Sequence, residues 1–484
     1  VKRQIDPGPW LAPLRGRLGP LGVLTDHDDL APFVTDWRGK LRGRTAAVLR
    51  PASVDEVVTV VRWAREHAVP LVPQGGNTGL CGGATPDETG AEVVLSLSRL
   101  DRIRSVDAAA NTLLADAGCV LANVQSAATE VGRLFPMSLA AEGSSQIGGL
   151  VSTNAGGMAV LRYGNMRDLV LGLEVVLPSG EVLSDLAGLR KNNTGYDWKQ
   201  LFIGSEGTLG VVTAATLKLF PRPRAVATAF AAVPSLAAAT ALLRFVQDAF
   251  GDAVTAFEVA SARALALVAR HFPELRMPLG GEAAFFVVCA LSMSAEGAEG
   301  EKPAALAALE DTLGEAAARD LVTDAAVAQN ETQARAFWRW RESITESEKR
   351  EGPSVKHDIS VPISRLPDFV TAAEAAALQV APEATVLVFG HLGDGSLHVN
   401  VIVPAPAGTA RGVDHAIEAA LFERIHDLAA AHDGSFSAEH GVGRIKVAEL
   451  ARYKDPAALA LMWTLKNALD PQGIMNPGRV LPPR

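Results

Sequence analysis

The chain has 484 residues, long enough for two or more domains with their own apolar cores, and carries a net charge of −9. That acidic balance, with a pI near 5.7 and no basic run, argues against non-specific nucleic-acid binding. Its cysteines, Cys81, Cys119 and Cys289, lie far apart and form no CxxC pair, so neither a disulfide framework nor a cysteine–zinc site is expected.

The first residues, VKRQIDPGPWLAPLRGRL, mix prolines and charges without an apolar h-region, so no secretory signal is visible there. An organelle-targeting segment removed upstream is compatible with that start. No stretch approaches ~20 apolar residues, so no membrane span is expected. Residues 1–45 read as a helical or irregular lead. Ser53 and Glu56 then form a capping box, and Val57, Val58, Val61 and Ala64 give a helical apolar stripe. A short strand, Val69–Val72, runs into the glycine-rich loop PQGGNTGLCGGATP. This order of helix, strand and glycine loop differs from the strand–GxGxxG–helix order of a Rossmann site, and no nicotinamide fingerprint occurs elsewhere.

A second small-residue stretch spans Ala141–Gly157. Strands are expected at Leu169–Leu177 and Glu181–Ser184, around the turn Pro178-Ser179-Gly180. A third such loop, IGSEGTLG, covers Ile203–Gly210 and leads into the strand VVTAATLKLF. Pro221-Arg222-Pro223 marks a domain boundary near 222. Beyond it, helices are expected at Ser235–Phe250, Pro303–Glu315, Glu331–Ser347, from Ser364, and at Val413–His432. Strands are expected at Val254–Val259, Phe285–Leu291 and in KHDISVP, and the acidic stretch Ala295–Pro303 reads as a solvated loop. Together these segments describe an α+β layer, an antiparallel sheet backed by helices.

Two features carry chemistry. Gly75, Gly76, Gly79, Gly82 and Gly83 leave bare N–H groups that can form a concave nest for phosphate. One such loop alone reads more readily as a plain multi-turn loop; three in one domain suggest an extended diphosphate-bearing ligand along a cleft. The second feature is His391-Leu-Gly-Asp394-Gly395-Ser-Leu-His398, flanked by apolar runs. Asp394-Gly395 is a strong signal for a two-residue hairpin turn. With that turn, His391 faces His398 at a Cβ separation of about 4.5–5.5 Å, and Asn400 shares the same side. Two imidazoles so placed can grip one metal ion; a hairpin with two ordinary histidines is the plain alternative.

VPQGGNTGLCGG, EGSSQIGG…STNAGG, IGSEGTLG and NPGRVLP resemble the FAD-binding elements of the vanillyl-alcohol-oxidase superfamily. HLGDGSLHVN and SAEHGVGRIK resemble cap motifs of its FAD-linked D-2-hydroxyacid dehydrogenases, and the likeness runs from about 45 to 482. The resemblance implies an α+β, two-domain flavoprotein. A PCMH-type FAD-binding domain would cover 46–222 and a cap on an antiparallel sheet 223–465. The segment 466–484 would return to the first domain.

By the same resemblance, Gly75, Gly76, Asn77, Thr78 and Gly79, with Pro73 beside them, cradle the diphosphate. Gly143, Ser144, Gly148, Gly149 and Ser152 line the flavin, with Asn154, Gly156 and Gly157 nearby. Glu206 and Gly207 lead towards the adenosine half, and Asn476 closes over the isoalloxazine. Some relatives tether flavin through a histidine in the first loop; here Asn77 stands in a loop without one, so the FAD is expected to be non-covalent. Glu439 joins His391 and His398 as the third ligand of a divalent ion, zinc first, manganese or iron as alternatives. His440 is the candidate base, since a neutral imidazole titrates near working pH; a hydrogen bond to a metal ligand is its alternative role.

Arg341, Thr345 and Lys356 match substrate-contacting positions, Arg341 and Thr345 being read on one helical face, and Asn400 would steady the substrate or a ligand. His357 stands where an aromatic is common, which leaves fine specificity open. The implied reaction oxidises a D-2-hydroxy acid to the 2-oxo acid by hydride transfer to flavin. D-2-hydroxyglutarate or D-malate is the first expectation, D-lactate or glycolate the second, and a flavin- or metal-binding protein without turnover a distant third. An electron-transfer flavoprotein or quinone-linked carrier would take the electrons. A homodimer is the default assembly, and the bacterial cytoplasm or the mitochondrial matrix the expected location.

Overall fold

The computed structural model describes residues 8–293, 304–404 and 412–483; the stretch Ala295–Pro303 lies outside the described residues. The chain packs as two units. The first holds residues up to 157, 164–222 and 439–484, and the second holds 158–163 and 223–438.

The first unit carries β1 (Val23–Leu24), β2 (Val48–Leu49), β3 (Leu71–Gln74), β4 (Val93–Ser96), β5 (Ile103–Asp107), β6 (Thr112–Asp116), β7 (Arg133–Leu134), β8 (Val170–Val176), β9 (Val182–Asp185), β10 (Val211–Lys218) and β11 (Phe220–Pro221). One sheet has the order β1-β2-β4-β3, with β2, β4 and β3 parallel; a second, antiparallel sheet has the order β5-β6-β10-β8-β9. Every residue of β4 is buried, as expected where parallel strands are covered on both faces. The helix Val54–Glu66 starts on the Ser53 cap, whose hydroxyl accepts from the Glu56 N–H at 3.2 Å, while the Glu56 carboxylate reaches back to the Ala52 N–H at 2.7 Å. Val57, Val60, Val61 and Ala64 are its buried stripe. The lead is not a separate piece: β1 pairs with β2, so the first sheet begins with it.

The chain returns to the first unit at Glu439, well before residue 466. The backbone N–H groups of Val442 and Gly443 donate to the Glu206 carboxylate at 2.7 and 2.8 Å, and the Arg444 N–H donates to the Cys81 carbonyl at 2.8 Å. Gly443 sits at φ +53, and a Cβ there would lie 2.1 Å from the Cys81 oxygen, so only glycine allows this stitch. Further on, the buried Lys466 ammonium donates to Asp470 at 2.6 Å and to the carbonyls of Thr208 and Met475. Arg479 makes a buried, two-pronged pair with Glu92 at 2.5 and 2.8 Å.

The second unit is built on β12 (Ala225–Val233), β13 (Val254–Ser261), β14 (Phe285–Met293), β15 (Asp324–Val327), β16 (Ser354–Ser360), β17 (Thr385–His391) and β18 (Ser396–Ile402), an antiparallel sheet in the order β15-β12-β14-β13-β17-β18-β16. Helices Leu236–Phe250, Ala304–Ala318, Leu366–Val380 and His415–Ala431 cover one face over a core that includes Val259, Phe369, Val388, Val399 and Val401. Helices Ala262–His271, Glu331–Glu342 and Ile344–Glu351 serve part of the other face, over Phe230, Phe286, Trp340 and Phe389.

Two further expectations need correction. The helix read over Glu331–Ser347 is two helices, interrupted at Ser343. The β17–β18 turn is not the two-residue Asp394-Gly395 type. The loop spans Leu392–Gly395, a 3-10 turn followed by Gly395 at φ +80. Its cause is Leu392, whose fully buried side chain joins the core and draws its backbone out of the strand. His391 therefore pairs with Ser396, and His398 with Phe389. The register moves by two residues, which keeps every side chain on the face expected for it.

Candidate active site

In the first unit a cleft opens beside the first glycine loop. Pro73, Gly75, Gly76, Asn77, Thr78 and Gly79 line it. So do Gly148, Gly149 and Ser152 of the helix Ile147–Thr153, Glu206 and Gly207 of the third loop, and His440. A Cβ on Gly76 would lie 1.9 Å from the Ser144 carbonyl oxygen, so the first and second loops meet backbone to backbone. Gly79 and Gly149 face open space. Ser145 Oγ and Gln146 Oε1, on cleft-lining residues, are buried without a hydrogen-bond partner among the described residues. Bare main chain together with buried, unsatisfied polar atoms fits a polar, phosphate-bearing ligand.

Other expected residues stand outside the lining. Gly143 and Gly156 do not reach it, and Gly157 packs against the Ser138 carbonyl. Asn154, at φ +50, caps the helix Ile147–Thr153 and accepts from the Arg167 N–H at 2.9 Å. Asn476 is a brace for two lining loops: its amide donates to the carbonyls of Gly83 at 2.9 Å and Glu206 at 2.7 Å. Asn77 turns its side chain to the lead, donating to the Thr35 carbonyl at 2.8 Å. Burial pushes the Glu206 carboxyl above its ordinary range, against the pull of the two N–H groups it receives.

The second unit gathers its polar residues on one sheet face. Cross-strand pairs put Glu258 opposite His391, Asp358 opposite His398, and Lys356 opposite Asn400. The His391 and His398 rings lie 6.2 Å apart between centroids. His391 Nδ1 is 2.6 Å from Glu258 Oε1, and Arg341 Nε donates to Glu258 Oε2 at 2.9 Å. The Arg341 guanidinium stacks 5.0 Å above Phe389, whose ring is 5.1 Å from His398. Burial alone would raise the Glu258 carboxyl; the His391 and Arg341 charges outweigh it and hold the group below its ordinary range. An ionised carboxylate accepts only, so His391 Nδ1 is the donor to Glu258, and Nε2 is the ring nitrogen that would face an ion. Neither Nη nitrogen of Arg341 has a hydrogen-bond partner among the described residues. The pair can therefore take a carboxylate in fork geometry.

A second buried glutamate anchors the other corner. Glu348 receives Lys356 Nζ at 3.0 Å, Asn400 Nδ2 at 2.8 Å and the Ser354 hydroxyl. Asn400 Oδ1 is buried without a partner among the described residues. Thr345 lies beyond the Ser343 break and is exposed, whereas Arg341 is largely buried, so the single helical face expected for the two does not exist. His357 points to the opposite side of the sheet, against Phe422 at 5.1 Å and His426 at 5.5 Å, away from the polar face. Glu258 and Glu348 escaped the sequence reading. A lone acid inside the apolar strand VTAFEVAS was a usable signal for the first; the charged surroundings of Glu348 offered none.

The cleft fits a phosphate-bearing cofactor and the sheet face an acid-binding site; comparison with known proteins shows the class, a flavin-linked oxidoreductase. Residues 45–185 match the FAD binding domain family and residues 222–480 match FAD linked oxidases, C-terminal domain. The chain belongs to the FAD-linked oxidases, and its cofactor is FAD. D-2-hydroxyglutarate dehydrogenase, mitochondrial, of Bos taurus is 41% identical over 467 residues, 96% of this chain and 82% of that protein. D-2-hydroxyglutarate dehydrogenase of Xanthomonas citri pv. viticola is 39% identical over 483 residues, 98% of this chain and 97% of that protein. The solved structure of p-cresol methylhydroxylase with substrate bound shares the fold, with a TM-score of 0.71 at 16% identity over 98% of this chain and 96% of that one. No helix among the described residues is long and apolar enough to cross a membrane.

Proposed function

We propose that this chain oxidises D-2-hydroxyglutarate to 2-oxoglutarate, with D-malate as a second dicarboxylate substrate, using dissociable FAD and a divalent ion. The observation that carries the reading is the sheet face that sets His391 and His398 beside Arg341, whose outer nitrogens have no hydrogen-bond partner among the described residues. The substrate choice follows the names of the two enzymes described above.

FAD supplies the hydride acceptor, and a divalent ion on His391, His398 and Glu439, zinc first and manganese or iron second, supplies polarisation of the substrate hydroxyl. Glu439 directly follows Ala438, whose N–H donates to the Asp358 carbonyl at 3.2 Å, and Asp358 is the cross-strand partner of His398. Arg341 grips a substrate carboxylate with both Nη groups. Lys356, its charge partly offset by Glu348, and Asn400 Oδ1 orient the rest of the molecule. His440 accepts the hydroxyl proton on a ring nitrogen. The loop Gly75–Gly79 holds the diphosphate against bare backbone. An electron-transfer flavoprotein or a quinone-linked carrier takes the electrons onward, in the bacterial cytoplasm or the mitochondrial matrix.

A substrate panel tests this. Anaerobic D-2-hydroxyglutarate should bleach the flavin, chelator should abolish turnover, and zinc or manganese should restore it. Arg341→Met should lower kcat/KM for the dicarboxylate about 10- to 150-fold, the range of a charge-assisted hydrogen bond, and change D-lactate far less. Chelator-resistant turnover would remove the ion, and a flavin that no D-2-hydroxy acid reduces would end the reading.

A further inference from the structure

We infer that Glu258 is a positioning residue that ties the metal ligand His391 to the carboxylate clamp Arg341, so that ion affinity and substrate recognition depend on one buried carboxylate. This rests on the function proposed above. Glu258 is 1% exposed and sits in β13 opposite His391. Its two oxygens are divided: Oε1 holds His391 Nδ1 at 2.6 Å, and Oε2 holds Arg341 Nε at 2.9 Å. The small cavity beside it is otherwise apolar, lined by Phe230, Leu265, Phe286 and Val288 together with Arg341. Those two donors are its only hydrogen-bond partners among the described residues.

The circuit closes on itself. Arg341 stacks on Phe389, Phe389 meets His398, and His398 faces His391. A carboxylate accepts from both partners at once; a carboxamide does not, because one of its two ends is an NH₂ donor. Glu258→Gln therefore forces a choice. If the amide oxygen turns to Arg341, the NH₂ group faces His391 Nδ1, which must become an acceptor. The ring proton then moves to Nε2, the nitrogen that would bind the ion. If the oxygen turns to His391, the NH₂ group opposes the Arg341 Nε–H and displaces the clamp. Ligand-orienting partners of this kind are worth about 10- to 100-fold in metal affinity.

The test uses the full chain loaded with FAD. Zinc affinity is read by competition with a chromogenic chelator, independently of turnover, and KM and kcat are measured for D-2-hydroxyglutarate and D-lactate. Glu258→Gln should bind zinc about 10- to 100-fold more weakly, or raise KM for the dicarboxylate more than for D-lactate, with FAD content unchanged. Glu258→Asp keeps the charge but loses one methylene of reach; it should show the same pattern in milder form, and it carries the test if the amide variant does not fold. Wild-type affinity and KM in whichever variant folds would overturn the coupling while leaving the proposed function standing. A wild-type chain that neither binds zinc nor turns over a D-2-hydroxy acid would overturn that function itself.

Discussion

The first unit walls its cleft with main chain, at Gly75, Gly76, Gly79 and Gly149, and the side chains nearby mostly brace loops, as Asn77 and Asn476 do. The second unit does the reverse, standing His391, His398, Glu258, Lys356 and Asn400 on the pleats of one sheet. A nest of amides suits a cofactor whose phosphates are the same in every turnover. Side chains on a rigid sheet suit chemistry and substrate choice, because exchanging one changes the reaction without reshaping the backbone.

The sharpest way to break this contrast is His398→Ala. It should lower turnover by more than the ~100-fold that loss of an outer ligand partner brings, with weaker zinc binding and unchanged FAD content. Loss of FAD from that variant would show the two sites to be less separable than their construction suggests. Next comes Gly76→Ala. The added methyl meets the Ser144 carbonyl, a main-chain atom that cannot swing aside, so about 1–3 kcal/mol of stability should be lost along with flavin loading, measured by thermal unfolding and FAD absorbance. Normal loading would mean the loops part easily.

The smallest effect concerns acid. Glu206 holds its proton to a higher pH than the unfolded chain, whose value is about 4.5. Its stabilising contribution is therefore complete below that pH and fades as the pH rises through the folded value. The melting-temperature advantage of wild type over Glu206→Gln should shrink as the pH climbs from 4.5; a difference that stays flat would contradict this.

The glycine loops were legible because three of them fall in one domain, where plain turns alone would not gather so much bare backbone. The histidine face was legible for a different reason. The Asp394-Gly395 signal mistook the turn, since local residues did not reveal that Leu392 would be pulled into the core, yet a shift of two leaves the alternation intact. The break at Ser343 has neither glycine nor proline to mark it. The early return at Glu439 depends on Gly443 fitting under the Cys81 carbonyl, a long-range contact without a local signature. Glu258 was readable as a strand residue, but its partners come from two other elements, and only the fold brings those together.

Asn476 has a consequence for how the cleft could be opened. Its amide ties Gly83 to Glu206, and its own N–H donates to the Leu71 carbonyl, so one residue staples three distant stretches of the first unit. Cutting that staple, as Asn476→Ala does, should let flavin leave while the histidine-bearing sheet keeps its register.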